Sequence, residues 1–198
     1  MAYFPFFADI KNKKFLVVGG GKTALRKIKT LVDFGCRCGV VAPEINEEIY
    51  SLVSFVKNGN FEEKDLENID FAVAATDDKV LNEKIACLCR NKKIPVNSVT
   101  DVNDCDFVFP AVYRNKDVVV GISTGGKSPF AAAKIRRNIE KALPKNIGNI
   151  TEYLGRIRDF LKCNVPRKER KKVLEELWQA LEDENGKKVE SVLERYKT

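Results

Sequence analysis

Histidine is absent from the 198-residue chain, which removes the side chain that most often ligates metals and carries protons near neutral pH. The six cysteines do not fill that gap. Cys36 with Cys38 and Cys87 with Cys89 are spaced C-x-C, which matches neither the C-x-x-C redox motif nor a common zinc spacing, and Cys105 and Cys163 stand apart. No metal site is expected, and the thiols read as reduced and mostly buried. Long apolar runs are missing as well. The longest, such as Phe15 to Val18 and Val118 to Ile122, fall far short of the ~18 residues that suggest a membrane span. Met1 to Ile10 carries no basic stretch, and Lys11, Lys13 and Lys14 interrupt any apolar segment, so no secretory signal is expected. A soluble, cytoplasmic protein without a membrane partner is the expectation. No internal repeat or low-complexity tract is visible.

What is present is ordinary globular composition: 44% hydrophobic and 32% charged residues, enough for a packed core. The formal charge of +7 favours an anionic partner, because summed surface charge concentrates ligands of opposite sign. Phosphates and polycarboxylates qualify. Nucleic acid is disfavoured, since the basic residues are scattered and no aromatic-rich strand motif accompanies them. The basic stretch Lys162 to Lys172 is either a contact surface or a solvated helix face.

Lys14 to Gly21 reads K-F-L-V-V-G-G-G, a short apolar run ending in glycines, as in a parallel strand buried on both faces. Thr23 to Phe34 then places Ala24, Ile28, Leu31 and Val32 at helical spacing, and Gly35 ends it. Cys38 to Ala42 reads as a second strand, Ile45 to Lys57 as helical or irregular, Phe71 to Ala75 as a strand, Lys79 to Asn91 as a helix and Ile94 to Val99 as a strand. This alternation implies an α/β, Rossmann-like, doubly wound parallel sheet. Ala111 to Arg114 and Asp117 to Ser123 form a hairpin around Asn115-Lys116, and Ser128 to Ala142, with Pro129 in its first turn, reads as a helix. Two or three amphipathic helices follow, with one stripe at Ile150, Leu154, Ile157 and Leu161 and another at Val173, Leu174, Leu177 and Leu181. The expected division is residues 1–112 as the dinucleotide-binding domain, 113–145 as a small α+β dimerisation segment and 146–198 as a helical extension.

Gly19-x-Gly21-x-x-Ala24 follows the first strand and opens the first helix, the context in which this pattern binds a dinucleotide. Gly19 permits the tight turn, Gly21 lets the backbone approach a pyrophosphate, and Ala24 allows close helix–strand packing. Lys22 and Thr23 open the helix whose amides and dipole face the phosphates. A glycine-rich turn without a ligand is the bland alternative. Glu44, about 20 residues on, is the candidate for the ribose hydroxyls. It follows Pro43, so spacing alone leaves NAD and NADP both open. Ala75, Thr76, Asn97 and Ser98 lie at strand C-terminal ends, where open α/β sheets bind ligands.

Four ordered motifs go beyond this pattern. They are Tyr3-Phe4-Pro5-Phe6-Phe7 with Val17-Val18-Gly19-Gly20-Gly21 and Arg26-Lys27; Ala74-Ala75-Thr76-Asp77-Asp78 with Asn82; Val96-Asn97-x-Val99 leading to Cys105-Asp106-Phe107 and Phe109-Pro110-Ala111; and Ile122-Ser123-Thr124-Gly125-Gly126-x-Ser128-Pro129 with Ile135-Arg136. In this order the chain resembles the precorrin-2 dehydrogenase family, which includes the N-terminal part of siroheme synthases. The resemblance implies NAD as cofactor and removal of two hydrogens from the tetrapyrrole precorrin-2 to give sirohydrochlorin, toward siroheme or cobalamin. It implies a homodimer formed by the region after Pro110. Some family members also insert ferrous iron, which makes Fe2+ a second candidate substrate. No segment resembles the methyltransferase domain of the larger siroheme synthases.

For a polycarboxylate substrate the candidate cations are Arg114, Lys127, Arg136 and Arg137, each equally readable as part of a solvated basic face. Ser123, Thr124, Gly125, Gly126 and Ser128 form a polar turn whose amides suit an anionic group, while Ser128 also reads as a helix cap. The family motif carries an aspartate implicated in proton handling. Anchoring on Asn97 and Pro110 puts Thr100 at its place and Asp101 next to it. Either Asp101 takes the role of general base or this branch works without that acid, and a loop aspartate capping nearby amides is the plain alternative. A reading of a different class is a regulatory module that binds NAD without catalysis.

Overall fold

The computed structural model describes residues 4–197, so Tyr3 of the opening motif and Thr198 lie outside it. The chain divides into two compact units that meet in sequence at Phe109 and Pro110.

In the first unit, strands β1 (Lys14–Val18), β2 (Arg37–Ala42), β3 (Phe55–Asn58), β4 (Phe71–Ala74) and β5 (Val96–Ser98) form one parallel sheet in the order β3-β2-β1-β4-β5. Helices α1 (Lys22–Asp33), α2 (Glu47–Tyr50) and α3 (Lys79–Asn91) connect them. The apolar run of β1 is explained by its two faces. Phe15 and Val17 pack with Ala24, Ile28 and Leu31 of α1, whereas Leu16 and Val18 pack with Ile85, Ala86 and Cys89 of α3. Alternate residues serve opposite layers, so both sets must be apolar. Each fully buried aliphatic side chain, such as Ile28 or Ile85, contributes about 1.5–3 kcal/mol of transfer free energy.

Strand order reverses between β1 and β4, which makes their C-terminal ends the topological switch point where such sheets bind ligands. The stretch 45–57 differs from its sequence reading. It holds one turn, α2, capped by the Asn46 side chain on the Glu48 amide, and then the edge strand β3 paired to β2. Only Val56 and Lys57 of that strand are half-buried, so an edge strand of four residues leaves no apolar run to detect.

The second unit begins with a hairpin, β6 (Ala111–Asn115) and β7 (Val118–Ile122), followed by α4 (Pro129–Ala142). The turn is Lys116-Asp117, one residue later than the sequence suggested. Asn115 remains in the ladder opposite Val118, and Lys116 takes the left-handed conformation at φ 53°. Four helices follow: α5 (Ile147–Arg156), α6 (Arg158–Asn164), α7 (Arg170–Glu182) and α8 (Gly186–Glu194). The expectation of two or three was low because the first stripe is divided at Ile157 between α5 and α6. Leu161, Val165, Val173, Leu177, Ala180, Val189 and Val192 form their core. Leu174, placed on the second stripe, is instead exposed. Among the described residues no helix is long and apolar enough to cross a membrane.

Candidate functional site

The glycine turn sits at the switch point, and its three glycines have two roles. Gly19 has φ 118°, and a Cβ there would lie 2.3 Å from the Ala75 carbonyl oxygen; a Cβ on Gly20 would lie 2.1 Å from that of Glu44. Both are required by close backbone packing. Gly21 has nothing within 4 Å of its would-be Cβ. It is the N-cap of α1, with no side-chain cap and no acidic residue in the first turn. An uncapped helix N-terminus opening onto free space, without a carboxylate to repel an anion, fits the phosphates of a dinucleotide. Lys22 and Thr23 form the first turn. Glu44, exposed just beyond the end of β2, is held beside this turn by the Asn46 amide, which donates to the Gly20 carbonyl at 2.9 Å.

Across the switch point, the Ala75 amide donates to the Val18 carbonyl at 2.8 Å. Thr76 is locked by Asn82, which is fully buried. Asn82 Oδ1 accepts from the Thr76 amide at 3.2 Å and the Thr76 hydroxyl at 2.7 Å, while its Nδ2 donates to the Thr76 carbonyl at 2.9 Å. Asp78 caps α3 through the Leu81 amide. The turn between β4 and α3 is therefore tied by side-chain as well as backbone hydrogen bonds.

Beside it, a cleft of about 470 Å³ is lined from α1 by Thr23, Arg26 and Lys27, from β5 by Asn97 and Ser98, and from the segment after β5 by residues including Thr100, Asp101, Cys105 and Phe109. Asn97 is committed to structure. Its Nδ2 donates to the Phe107 carbonyl at 2.9 Å, and its Oδ1 accepts from Lys27 Nζ at 2.8 Å. Lys27 Nζ also lies 3.9 Å from the centre of the Phe109 ring. Burial, with the neighbouring Arg26 charge second and the Cys105 thiol partly opposing, brings its pKa down to about 8. The Ser98 amide donates to Cys105 Sγ at 3.2 Å; burial pushes the Cys105 thiol up, against that hydrogen bond and the Lys27 charge. Asp101 borders the cleft and caps the 3-10 turn Val102–Asp104, its Oδ1 accepting from the Asn103 amide at 2.8 Å. Thr100 instead bonds its hydroxyl to that of Ser98 at 3.0 Å.

The other candidates belong to the second unit. Ser128 caps α4 through the Ala131 amide at 3.1 Å, and the Thr124 hydroxyl closes the turn by contacts with the Ser128 amide and carbonyl. The Gly125 amide donates to the Ser123 hydroxyl at 3.2 Å, and Gly125 and Gly126 have φ of 62° and 77°. Lys127 is exposed in this turn. Arg114 Nε donates to the Lys116 carbonyl, and Arg136 pairs with Glu140 at 2.9 Å within α4. Among the described residues no cluster of three metal-ligating side chains occurs.

Comparison with known proteins follows the two units. An NAD(P)-binding family model matches residues 6–111, and the model of the sirohaem biosynthesis protein central domain matches residues 120–142. The chain belongs to the precorrin-2 dehydrogenase and siroheme synthase N-terminal family. Among curated relatives of this family, the siroheme synthase of Psychrobacter sp. (strain PRwf-1) is 34% identical over 84% of this chain and 35% of its own length. That of Neisseria meningitidis serogroup C is 34% identical over 83% of this chain and 35% of its own. The chain thus spans about a third of the length of these relatives. A solved structure titled "SirC, precorrin-2 dehydrogenase" superposes with a TM-score of 0.74 at 26% identity, covering 98% of each chain. The fold is that of a Rossmann-like family member with a helical C-terminal end, and NAD is the cofactor that the first unit accommodates.

Lys27 is the site residue to which sequence reasoning gave no role. The available signal was its place three and four residues beyond Ala24 and Thr23, which puts it on the Thr23 side of α1. What sequence alone could not supply was Phe109, 82 positions further on and packed against its ammonium.

Proposed function

We propose that the protein is a precorrin-2 dehydrogenase that converts precorrin-2 to sirohydrochlorin with NAD. The observation that carries this reading is the end-to-end likeness to a precorrin-2 dehydrogenase structure, 98% of each chain at 26% identity. Curated siroheme synthases, matched over most of this chain, support it.

When bound, NAD supplies the hydride acceptor, and the protein's part is orientation and electrostatics. The Gly21 backbone and the first turn of α1, Lys22 and Thr23, would hold the pyrophosphate, and Glu44 would take the ribose hydroxyls. Ala75 and the Asn82-locked Thr76 form the wall on the β4 side, with Asn97 on the β5 side. The reaction removes two hydrogens, one as hydride and one as a proton. Asp101, on the border of the cleft, is assigned to that proton. Because only one oxygen is needed for its cap, the carboxylate keeps a second acceptor.

In the second unit, Ser123, Thr124, Gly125, Lys127 and Ser128, with Arg114 and Arg136, are assigned to the carboxylates of the substrate, which suit planar guanidinium forks and the exposed Lys127 ammonium. Residues 113–145 are assigned to a homodimer interface, because a two-stranded sheet is marginal by itself. Fe2+ is a second substrate in this reading, with siroheme as the end of the route. Six cysteines, none in a disulfide among the described residues, suit the reducing cytoplasm.

The test is anaerobic incubation with enzymatically generated precorrin-2 and NAD or NADP, followed by ferrous iron. NAD-dependent appearance of sirohydrochlorin supports the dehydrogenase, and an iron-dependent change above the uncatalysed rate adds the chelatase. Tight NAD binding without turnover overturns the proposal in favour of a sensing module.

A further inference from the structure

Thr23, Arg26 and Lys27 lie at i, i+3 and i+4 on α1 and line one cleft. Lys27 is half-buried there. Its ammonium donates to Asn97 Oδ1 at 2.8 Å and lies 3.9 Å from the centre of the Phe109 ring. Among the described residues no carboxylate lies within ion-pair distance of it or of the Arg26 guanidinium. Asp101 and the Cys105 thiol are the other titratable groups of this cleft. A partly desolvated ammonium compensated only by an amide dipole and a ring face is costly. That cost shows in the drop of its pKa to about 8. An anion entering the cleft would restore the missing counter-charge.

We propose that Lys27, assisted by Arg26, is an anion subsite whose occupant is a carboxylate of the tetrapyrrole substrate; this rests on the dehydrogenase reading. Two observations favour a substrate carboxylate over a cofactor phosphate. The phosphates already have the open N-terminus of α1, and Lys27 lies five residues further, about 7.5 Å along the helix axis. The same cleft also presents Val99, Val102, Val108 and Phe109, an apolar surface that suits a macrocycle bearing carboxylates and offers nothing to a bare phosphate.

The subsite carries a pH signature. An anion raises the pKa of Lys27, so binding takes up a proton once the free ammonium has begun to titrate near pH 8. Affinity then falls as pH rises further.

The experiment titrates the full chain with uroporphyrin III, an octacarboxylate that cannot be dehydrogenated in this reaction, by fluorescence at pH 7 and pH 9.5, and separately with NAD. Wild type should bind the porphyrin and weaken by about tenfold at the higher pH, the size of one charge contact. Lys27→Met should bind about tenfold more weakly at pH 7. Lys27→Arg should retain binding and lose the dependence attributable to Lys27, since arginine does not titrate in this range. NAD affinity should be unchanged in both variants. Wild-type binding by Lys27→Met, no porphyrin binding by wild type, or loss of NAD affinity in Lys27→Met overturns the subsite, the last by assigning it to a phosphate. If Lys27→Met does not fold, the wild-type pH comparison decides alone, a flat profile counting against the proposal. Porphyrin binding through Lys27 without precorrin-2 oxidation would keep the subsite and sink the dehydrogenase. Oxidation with an unchanged KM in Lys27→Met would do the reverse.

Discussion

Gly19 and Ala75 are joined more tightly than side chains allow: a methyl on Gly19 would lie 2.3 Å from the Ala75 carbonyl oxygen, at a φ of 118°. The contact ties the end of β1 to the end of β4, at the topological switch point of the sheet. Gly21, two residues on, has open space instead. The two glycines should therefore respond differently to alanine.

Gly19→Ala combines a steric collision with a disfavoured backbone. It should lower unfolding stability by at least about 1–3 kcal/mol, the usual cost of such strain. Gly21→Ala, at an N-cap where alanine is poorer than glycine, should cost no more than about 1 kcal/mol and weaken NAD by about tenfold or more, because the added methyl occupies the space a pyrophosphate needs. Denaturation and cofactor titration on both variants check this. Equal loss of stability in the two would contradict the assignment.

Asn82 makes three contacts to Thr76 in a fully buried position. Asn82→Leu leaves the Thr76 carbonyl and amide unsatisfied and should cost about 1–3 kcal/mol or more. It should also weaken NAD, since the β4–α3 turn is loosened. A variant with full stability and full affinity would show that the network is not what holds this turn.

The buried thiols set an alkaline limit. Burial pushes Cys36 up to about 11, Cys89 to about 11 and Cys38 to about 12, from an ordinary value of 9.0. Between pH 9 and those values the unfolded chain releases protons that the folded chain retains, so stability is intact below about pH 9 and falls above it. Lys27 acts in the opposite sense from pH 8 upward, because its folded pKa is lowered. Comparing Cys38→Ala with wild type isolates the thiol term: the variant should lose less stability between pH 8.5 and 10.5 in urea titrations. Parallel losses in the two proteins would refute it.

Asp101→Asn separates capping from proton handling. Asparagine caps as well as aspartate, so the bond to the Asn103 amide and the fold should survive. Loss of the base should reduce kcat by about 10²–10⁴-fold. A variant with wild-type kcat would leave Asp101 as a cap alone, and turnover in this branch would proceed without an acid at that place.

Much of the first unit was legible because its determinants are local. The run from Phe15 to Val18 is buried on both faces, Gly35 follows the end of α1, and α3 has the bounds read for it, Lys79–Asn91, with the Asp78 cap added by the structure. β3 was not legible, since its four residues are stabilised by pairing with β2 rather than by their own pattern. In the C-terminal helices the break at Ile157 escaped because the apolar stripe continues across it. In the site, the glycine turn could be read from spacing. The Lys27–Asn97–Phe109 arrangement is assembled from three distant segments, and Asn97, expected at the cofactor, has its side chain engaged by Lys27 and Phe107.

NAD-dependent dehydrogenation is tested by following both products of one reaction. Purified protein, precorrin-2 and NAD are mixed without oxygen, and sirohydrochlorin absorbance is recorded together with reduced cofactor. The two should appear in a one-to-one ratio, at a rate that vanishes without NAD and falls sharply in Gly21→Ala. Sirohydrochlorin forming at the same rate with NAD omitted, or NAD bound and never reduced, would contradict it.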